Sequence, residues 1–296
     1  MTRARTRTRL PSASTGRSVR SGLAAVLAPL ALLAACTGSP EPAPAATPSP
    51  APSATGYLTV GGADGMRADG VPVRSGDAEL AVWPPVDPVT GEPDEDGAVV
   101  LTAALPAGPA GETSVAPVLW LVPPEGWAVE RLDDGSALLR DADGRAAGAV
   151  TAPVLGGGAA GSGARVQAVA SDGALEWRLT LPVRTDGTVE EAPGGTVSAT
   201  FAGSALREAT WRDLADEGGR SLAVAPATWA RGGSLAAEEL LWAQLTAQEP
   251  EADAPTVRDQ LACHVIGAPD KASWNLEPWR PDVGLLAMIG ALCNPE

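Results

Sequence analysis

The sequence predicts an α+β protein, with an antiparallel β-rich middle (sandwich or open barrel) followed by a small helical C-terminal lobe pinned by a disulfide. Three observations carry this. From residue 57 to about 203, short apolar runs alternate with Gly, Asp and Pro turn signals. After residue 204, helical spacing of Leu and Val replaces that alternation. Two of the three cysteines, Cys263 and Cys293, fall in the last region.

The chain has 296 residues, 21 basic and 36 acidic, for a formal charge of −15. Six of the Arg lie in the first 20 positions, where no acid appears, so the remainder is more acidic still. Such a surface repels phosphate backbones, and no nucleic-acid partner is expected. Residues 1–20 are basic and residues 23–35 almost wholly apolar. A helix of that apolar length rises about 20 Å, short of the roughly 30 Å hydrocarbon core. Residues 1–35 therefore read as a signal peptide and not a membrane span. They end in Leu33-Ala34-Ala35-Cys36, which resembles the bacterial lipobox. That resemblance implies diacylglycerol and palmitate on Cys36 and a lipoprotein on the extracytoplasmic face of the cell membrane, the alternative being release to the exterior. Residues 36–56, rich in Pro and Ala, read as the lipidated Cys and a disordered, extended linker. Arg is used almost to the exclusion of Lys, with Lys271 the one Lys. Together with abundant Ala and Gly, that suggests a GC-rich, actinobacterial genome.

Residues 57–203 read as a β-rich domain whose ordered structure begins at 57–60. Segments 136–140 and 146–154 flank Asp141-Ala-Asp143-Gly144 as a hairpin. Segments 165–170 and 174–181 flank Asp172-Gly173 as another. Asp186-Gly187 and Gly194-Gly195 mark further turns, the latter ahead of a strand at 196–201. The Asp141-x-Asp143-Gly144 run opens like a calcium loop, but the EF-hand pattern needs a third oxygen ligand and a closing Glu. Arg145 and Ala152 stand at those places, so a turn is expected and a metal is not. Residues 84–98, with Asp87, Glu92, Asp94, Glu95 and Asp96 among four Pro, read as an exposed acidic loop.

Residues 204–296 form the C-terminal domain. Segments 206–213 and 221–225 flank Gly218-Gly219 as a hairpin closing the sheet, although the first arm also suits a short helix. Ser234 suits the N-cap of a helix over 235–248. Pro255 opens a second helix over about 256–266, with Val257, Leu261 and Val265 on one face, and Asp282 suits the cap of a third over 283–292. In an oxidising compartment, with Cys36 lipidated, Cys263 and Cys293 are expected to pair. A Cys263–His264 nucleophile pair is disfavoured, because helix neighbours point apart.

Between the last two helices lies Lys271-Ala-Ser-Trp274-Asn275-Leu276-Glu277-Pro278-Trp279-Arg280-Pro281-Asp282. Gln260-Leu-Ala-Cys263-His264, Ala268-Pro-Asp270-Lys271, the run 274–284 and Cys293-Asn294-Pro295 resemble the C-terminal signature of an actinobacterial exported family, domain of unknown function 2599. Residues 219–224 and 229–231 resemble it too, and Leu285 stands where that pattern often has Tyr. The resemblance covers about the last 80 residues and implies export and a domain boundary, but no activity. Candidate binding or catalytic residues are His264, Asp270, Lys271, Trp274, Asn275, Glu277, Trp279, Arg280 and Asp282. Carboxylates beside Trp suit either of two tasks on cell-wall glycan: recognition, as an envelope binding or accessory protein, or hydrolysis by the carboxylates of the 270–282 loop. An envelope protein is the other partner considered. A third reading has Glu277 pairing with Arg280 and the two Trp stapling the loop to the helices. No serine-hydrolase elbow, Walker loop or His-Glu-x-x-His is present, and no cofactor is expected.

Overall fold

A computed structural model describes residues 62–84, 91–109, 113–214, 216 and 219–296. Cys36, the leader, the linker, the proposed start at 57–60, part of the acidic loop and Gly218 lie outside the described residues. The described part is built mostly from antiparallel strands. Helix α1 (Gly62–Asp69) precedes β1 (Val71–Ser75), β2 (Ala78–Trp83), β3 (Val99–Gly108), β4 (Val115–Val122), β5 (Ala128–Arg131), β6 (Ala137–Arg140) and β7 (Ala146–Val150). β8 (Val154–Gly156), β9 (Arg165–Ser171), β10 (Ala174–Thr180) and β11 (Ala192–Ala202) follow.

These strands form two open sheets, ordered β1-β2-β4-β10-β9 and β3-β11-β7-β6-β5, with β8 also on β11. Of the two expected architectures, the sandwich is the one found. Leu80, Leu119, Leu121, Leu175 and Trp177 of the first sheet share one core with Leu101, Leu139, Val197 and Phe201 of the second. The hairpins at Asp143-Gly144 and Asp172-Gly173 are present as β6–β7 and β9–β10. Asp141 Oδ1 accepts the backbone N–H of Asp143 and Arg145 at 2.9 and 2.8 Å, and Asp143 pairs with Arg145. Both carboxylates are thus committed to the turn.

Three expectations about this part need correction. The arm drawn at 146–154 ends at Val150; Val154 begins β8, which leaves β6 for β11. Gly194-Gly195 is not a turn but lies inside β11. A side chain at Gly195 would come within 2.3 Å of the Gly156 carbonyl, so these glycines let β11 run flush against the 3-10 turn Gly157–Ala159. The acidic loop is also less open than expected. Asp96 pairs with Arg207 at 2.8 Å, its side chain 5% exposed, and accepts the Thr228 N–H at 2.7 Å.

The C-terminal region adds β12 (Leu206–Leu214), β13 (Gly219–Pro226), α2 (Leu235–Gln248), α3 (Pro255–Gly267), β14 (Trp274–Leu276) and α4 (Leu285–Gly290). The first arm of the hairpin is a strand. The hairpin does not close the sandwich sheet, however; with β14 it makes a third sheet, ordered β12-β13-β14. A second core joins that sheet and α2 to the outer face of the β6–β7 hairpin through Leu138, Ala149, Leu222, Leu240, Leu241 and Trp274. This explains why Ala137, Leu138 and Leu139 are all buried: β6 has a core on each face, so no polar side is left to alternate.

Helix α2 has the expected bounds but not the expected cap. Ser234 makes no capping bond. Asp134 and Ser136, from the β5–β6 turn, accept the N–H groups of Leu235 and Ala236 at 2.8 and 3.1 Å instead. Burial works to raise the Asp134 carboxyl, but bonds from the Ser136 hydroxyl and from the Leu235 and Ser136 N–H groups outweigh it and hold it below its ordinary value. The last helix is shorter than expected: Gly284 stands at its N-cap, and Asp282 Oδ1 accepts from Gly284 N–H at 3.3 Å. Cys263 and Cys293 form the disulfide, with Cα atoms 5.7 Å apart.

Candidate functional site

The structure divides the sequence-derived candidates into buried fasteners and outward-facing groups. Gln260 on α3 holds the residue after β14 by both ends: its Nε2 donates to the Glu277 carbonyl at 2.9 Å, and its Oε1 accepts the Glu277 N–H at 2.8 Å. The Glu277 carboxylate accepts from Arg280 Nε, and the two side chains are 8% and 13% exposed. Arg280 also donates to the Pro295 carbonyl at 3.1 Å and lies 4.6 Å from the centre of the Trp279 ring. The loop is thereby tied to α3 and to the C-terminal tail, as the stapling reading expects for this ion pair.

His264 and Trp274 are buried in the same lobe. Trp274 Nε1 donates to Ala268 at 3.0 Å, and His264 Nε2 lies 3.1 Å from the Asn275 carbonyl with its ring nearly parallel to Trp274. Nδ1 of His264 is buried without a hydrogen-bond partner. Burial holds this imidazole below its ordinary value, and Lys271 pushes the same way; the Asn275 carbonyl and Glu277 pull upward and are outweighed. The unfolded chain therefore binds a proton that the folded lobe refuses. Stability is expected to be full above about 6.5, the ordinary imidazole value, and to be lost progressively as pH falls from there toward the lowered value of the folded lobe. Urea midpoints at pH 8 and pH 5 check this, and the acid loss should be smaller in His264→Gln. An equal loss in both proteins would assign the acid sensitivity to other groups.

Asp270, Lys271, Asp282 and the side chain of Asn275 face solvent. None of them lines the cleft that Trp279 helps to form, a cavity of about 290 Å³ bounded by Trp211, Gly219, Arg220, Glu251, Pro278 and Trp279. Trp279 is 38% exposed and lies across β13 at Gly219, where an added Cβ would fall 2.1 Å from its ring. On the hairpin, Trp211 pairs with Leu222 and Asp213 with Arg220, which sets Trp211 and Arg220 diagonally on one face. The Arg220 guanidinium lies 4.4 Å from the centre of the Trp211 ring and binds Glu251 at 2.8 Å. Trp211 Nε1 donates to Glu249 at 2.9 Å. The cleft thus presents the Trp279 ring and Trp211, one face of which lies under Arg220, with that guanidinium shared between Glu251 and Asp213.

Trp211, Arg220 and Glu251 were missed in the sequence. Their signal was faint: alternation along the 206–226 hairpin puts Trp211 and Arg220 on one face, but only the chain reversal at 249–253 brings Glu251 there. Among the described residues, no group of three His, Cys, Asp or Glu is placed to hold a metal ion, and no helix is long and apolar enough to cross a membrane.

Residues 206–296 match a family model described as "Protein of unknown function (DUF2599)". Uncharacterized proteins of Mycobacterium tuberculosis and Mycobacterium bovis are each 37% identical to the chain over 122 residues, covering 38% of this chain and 79% of the relative. The chain belongs to the DUF2599 family. No solved structure matches it. The DUF2599 segment begins with the first residue of β12 and contains every residue that lines the Trp279 cleft, together with the disulfide.

Proposed function

We propose that this DUF2599 protein is an exported, lipid-anchored cell-envelope protein that binds cell-wall glycan in the Trp211–Trp279 cleft. The observation that carries the binding reading is the half-exposed Trp279 beside the Arg220–Glu251 pair. The apolar C–H faces of a pyranose stack on indole, while its neighbouring hydroxyls suit the planar donors of Arg and the acceptors of Glu. Arg220 is shared between Glu251 at 2.8 Å and Asp213 at 3.7 Å, so among the described residues the cleft offers hydrogen-bonding groups with no free cation to favour an anionic polymer over an uncharged one. Export is supported by the disulfide, which belongs to oxidising compartments, and by the basic-apolar leader ending at Cys36.

Recognition is favoured over hydrolysis by the placement of the carboxylates. Glycoside cleavage needs two of them flanking one bond. Glu277 is buried against Arg280, and among the described residues the carboxylate that lines the cleft, that of Glu251, is bound to Arg220.

Titration of the chain with N-acetylglucosamine oligomers is expected to give a saturable change in Trp fluorescence. Trp279→Ala should weaken binding by roughly 30-fold, the size of an aromatic hot spot, while melting close to the wild type. No saturable change in the wild type would remove the glycan reading and leave a protein partner, sought next by cross-linking in cells. Metabolic palmitate labelling tests the anchor: the wild type should be tagged and Cys36→Ala should not, and an untagged wild type would refute lipidation.

A further inference from the structure

We propose that the glycan path continues beyond the Trp279 cleft, across the turn at 249–253, into a second groove between α2 and the β6–β7 hairpin, where Trp242 is a further sugar platform. The inference rests on the glycan reading of the first cleft and extends it from a single-sugar site to a polymer track.

The groove encloses about 540 Å³, and its wall is shared with the first site. Pro250 and Asp253 line the groove, while Glu251, between them, lines the Trp279 cleft. The 3-10 turn Pro250–Ala252 is therefore a ridge with one depression on each side. A ligand leaving the first site has only that single turn to cross before it enters the second.

The chemistry repeats across the ridge. Trp242 is half-buried on α2, with the Arg258 guanidinium 5.2 Å from its ring centre, as Arg220 stands to Trp211. Around it most of the charged groups are paired. Arg140 binds Glu130 at 2.7 Å, and Glu239 binds Arg258. Leu138 and Ala146, from the outer face of the β6–β7 hairpin, supply an apolar floor. Among the described residues, both arginines lining the groove, Arg140 and Arg145, are bound to carboxylates and Asp253 adds an acceptor, so an anion finds no free cation, whereas a hydroxyl-rich uncharged chain finds donors and acceptors beside an aromatic face. A protein side chain would fill one such depression, but two of like composition on either side of one turn suit a repeating ligand.

The test uses the full chain in detergent and a length series of β-1,4-linked N-acetylglucosamine oligomers, from disaccharide to hexasaccharide, read by calorimetry. Wild type is expected to gain about tenfold in affinity from the shortest to the longest. Trp242→Ala should bind the disaccharide as wild type does and lose the gain. Arg140→Ala, at a half-exposed rim position, and Asp253→Ala, at an exposed one, should reduce the gain with little effect on the fold, and they keep the test decisive if Trp242→Ala melts early. Equal affinity for all lengths in the wild type, or a gain that survives in all three variants, would overturn the second groove while leaving the first site standing. Absence of binding at every length would overturn both.

Discussion

Replacing Cys263 and Cys293 together by Ser is expected to destabilise the chain by about 3 to 4 kcal/mol in the chain-entropy account, since the bridge closes a loop of 30 residues. The effect should reach the Trp279 cleft through defined contacts. Cys293 anchors the tail whose Pro295 carbonyl accepts from Arg280, and Arg280 in turn lies against Trp279. The double variant should therefore have a lower urea midpoint and a red-shifted Trp emission before global unfolding, because the tail and loop loosen first. If the unfolding free energy changes by less than about 1 kcal/mol, the bridge is not what holds the lobe, and the α3–β14 contacts alone suffice.

Arg280→Ala should cost about as much or more, roughly 3 to 5 kcal/mol, by a different route. Its loss leaves the Glu277 carboxylate without its cation at a site where that side chain is 8% exposed. An unpaired buried charge is far more costly than the pair is favourable. The asymmetry gives a sharp test: changing both residues together, as Glu277→Met with Arg280→Met, should recover much of the loss. Equal destabilisation by the single and double changes would mean that the Pro295 and Trp279 contacts of Arg280 matter more than the ion pair. Trp279→Ala, in contrast, removes a half-exposed ring and should act on binding more than on folding. A Glu277 variant that lost ligand would accordingly report a collapsed loop and not a missing catalytic group.

Much of the architecture was legible because its signals are local. The Asp143-Gly144 and Asp172-Gly173 turns, the strands beside them, the hairpin over 206–226 and helices α2 and α3 all follow from short-range pattern. Pairing of Cys263 with Cys293 followed from counting thiols. What failed was long-range. Ser234 has the right chemistry for a cap, but Asp134 and Ser136, about 100 positions earlier, reach the helix first. Gly194-Gly195 reads as a turn in isolation, yet the 3-10 turn at Gly157–Ala159 makes it a flat stretch of strand. The candidate loop does hold the Glu277–Arg280 pair, and its Trp279 reaches the cleft. Its acidic members, though, split between a buried fastener at Glu277 and solvent-facing Asp270 and Asp282.

By itself the sequence determined the class of the fold, the disulfide and the family, because each depends on residue type and spacing along the chain. Only the tertiary structure decided which Trp are platforms and which are core. Trp274 and Trp279 lie five positions apart in one loop, but β14 turns the first into the lobe and Gly219 lets the second lie open on β13. Whether an indole meets solvent is set by what the neighbouring strand places against it, and that neighbour comes from some 50 to 60 residues earlier in the chain.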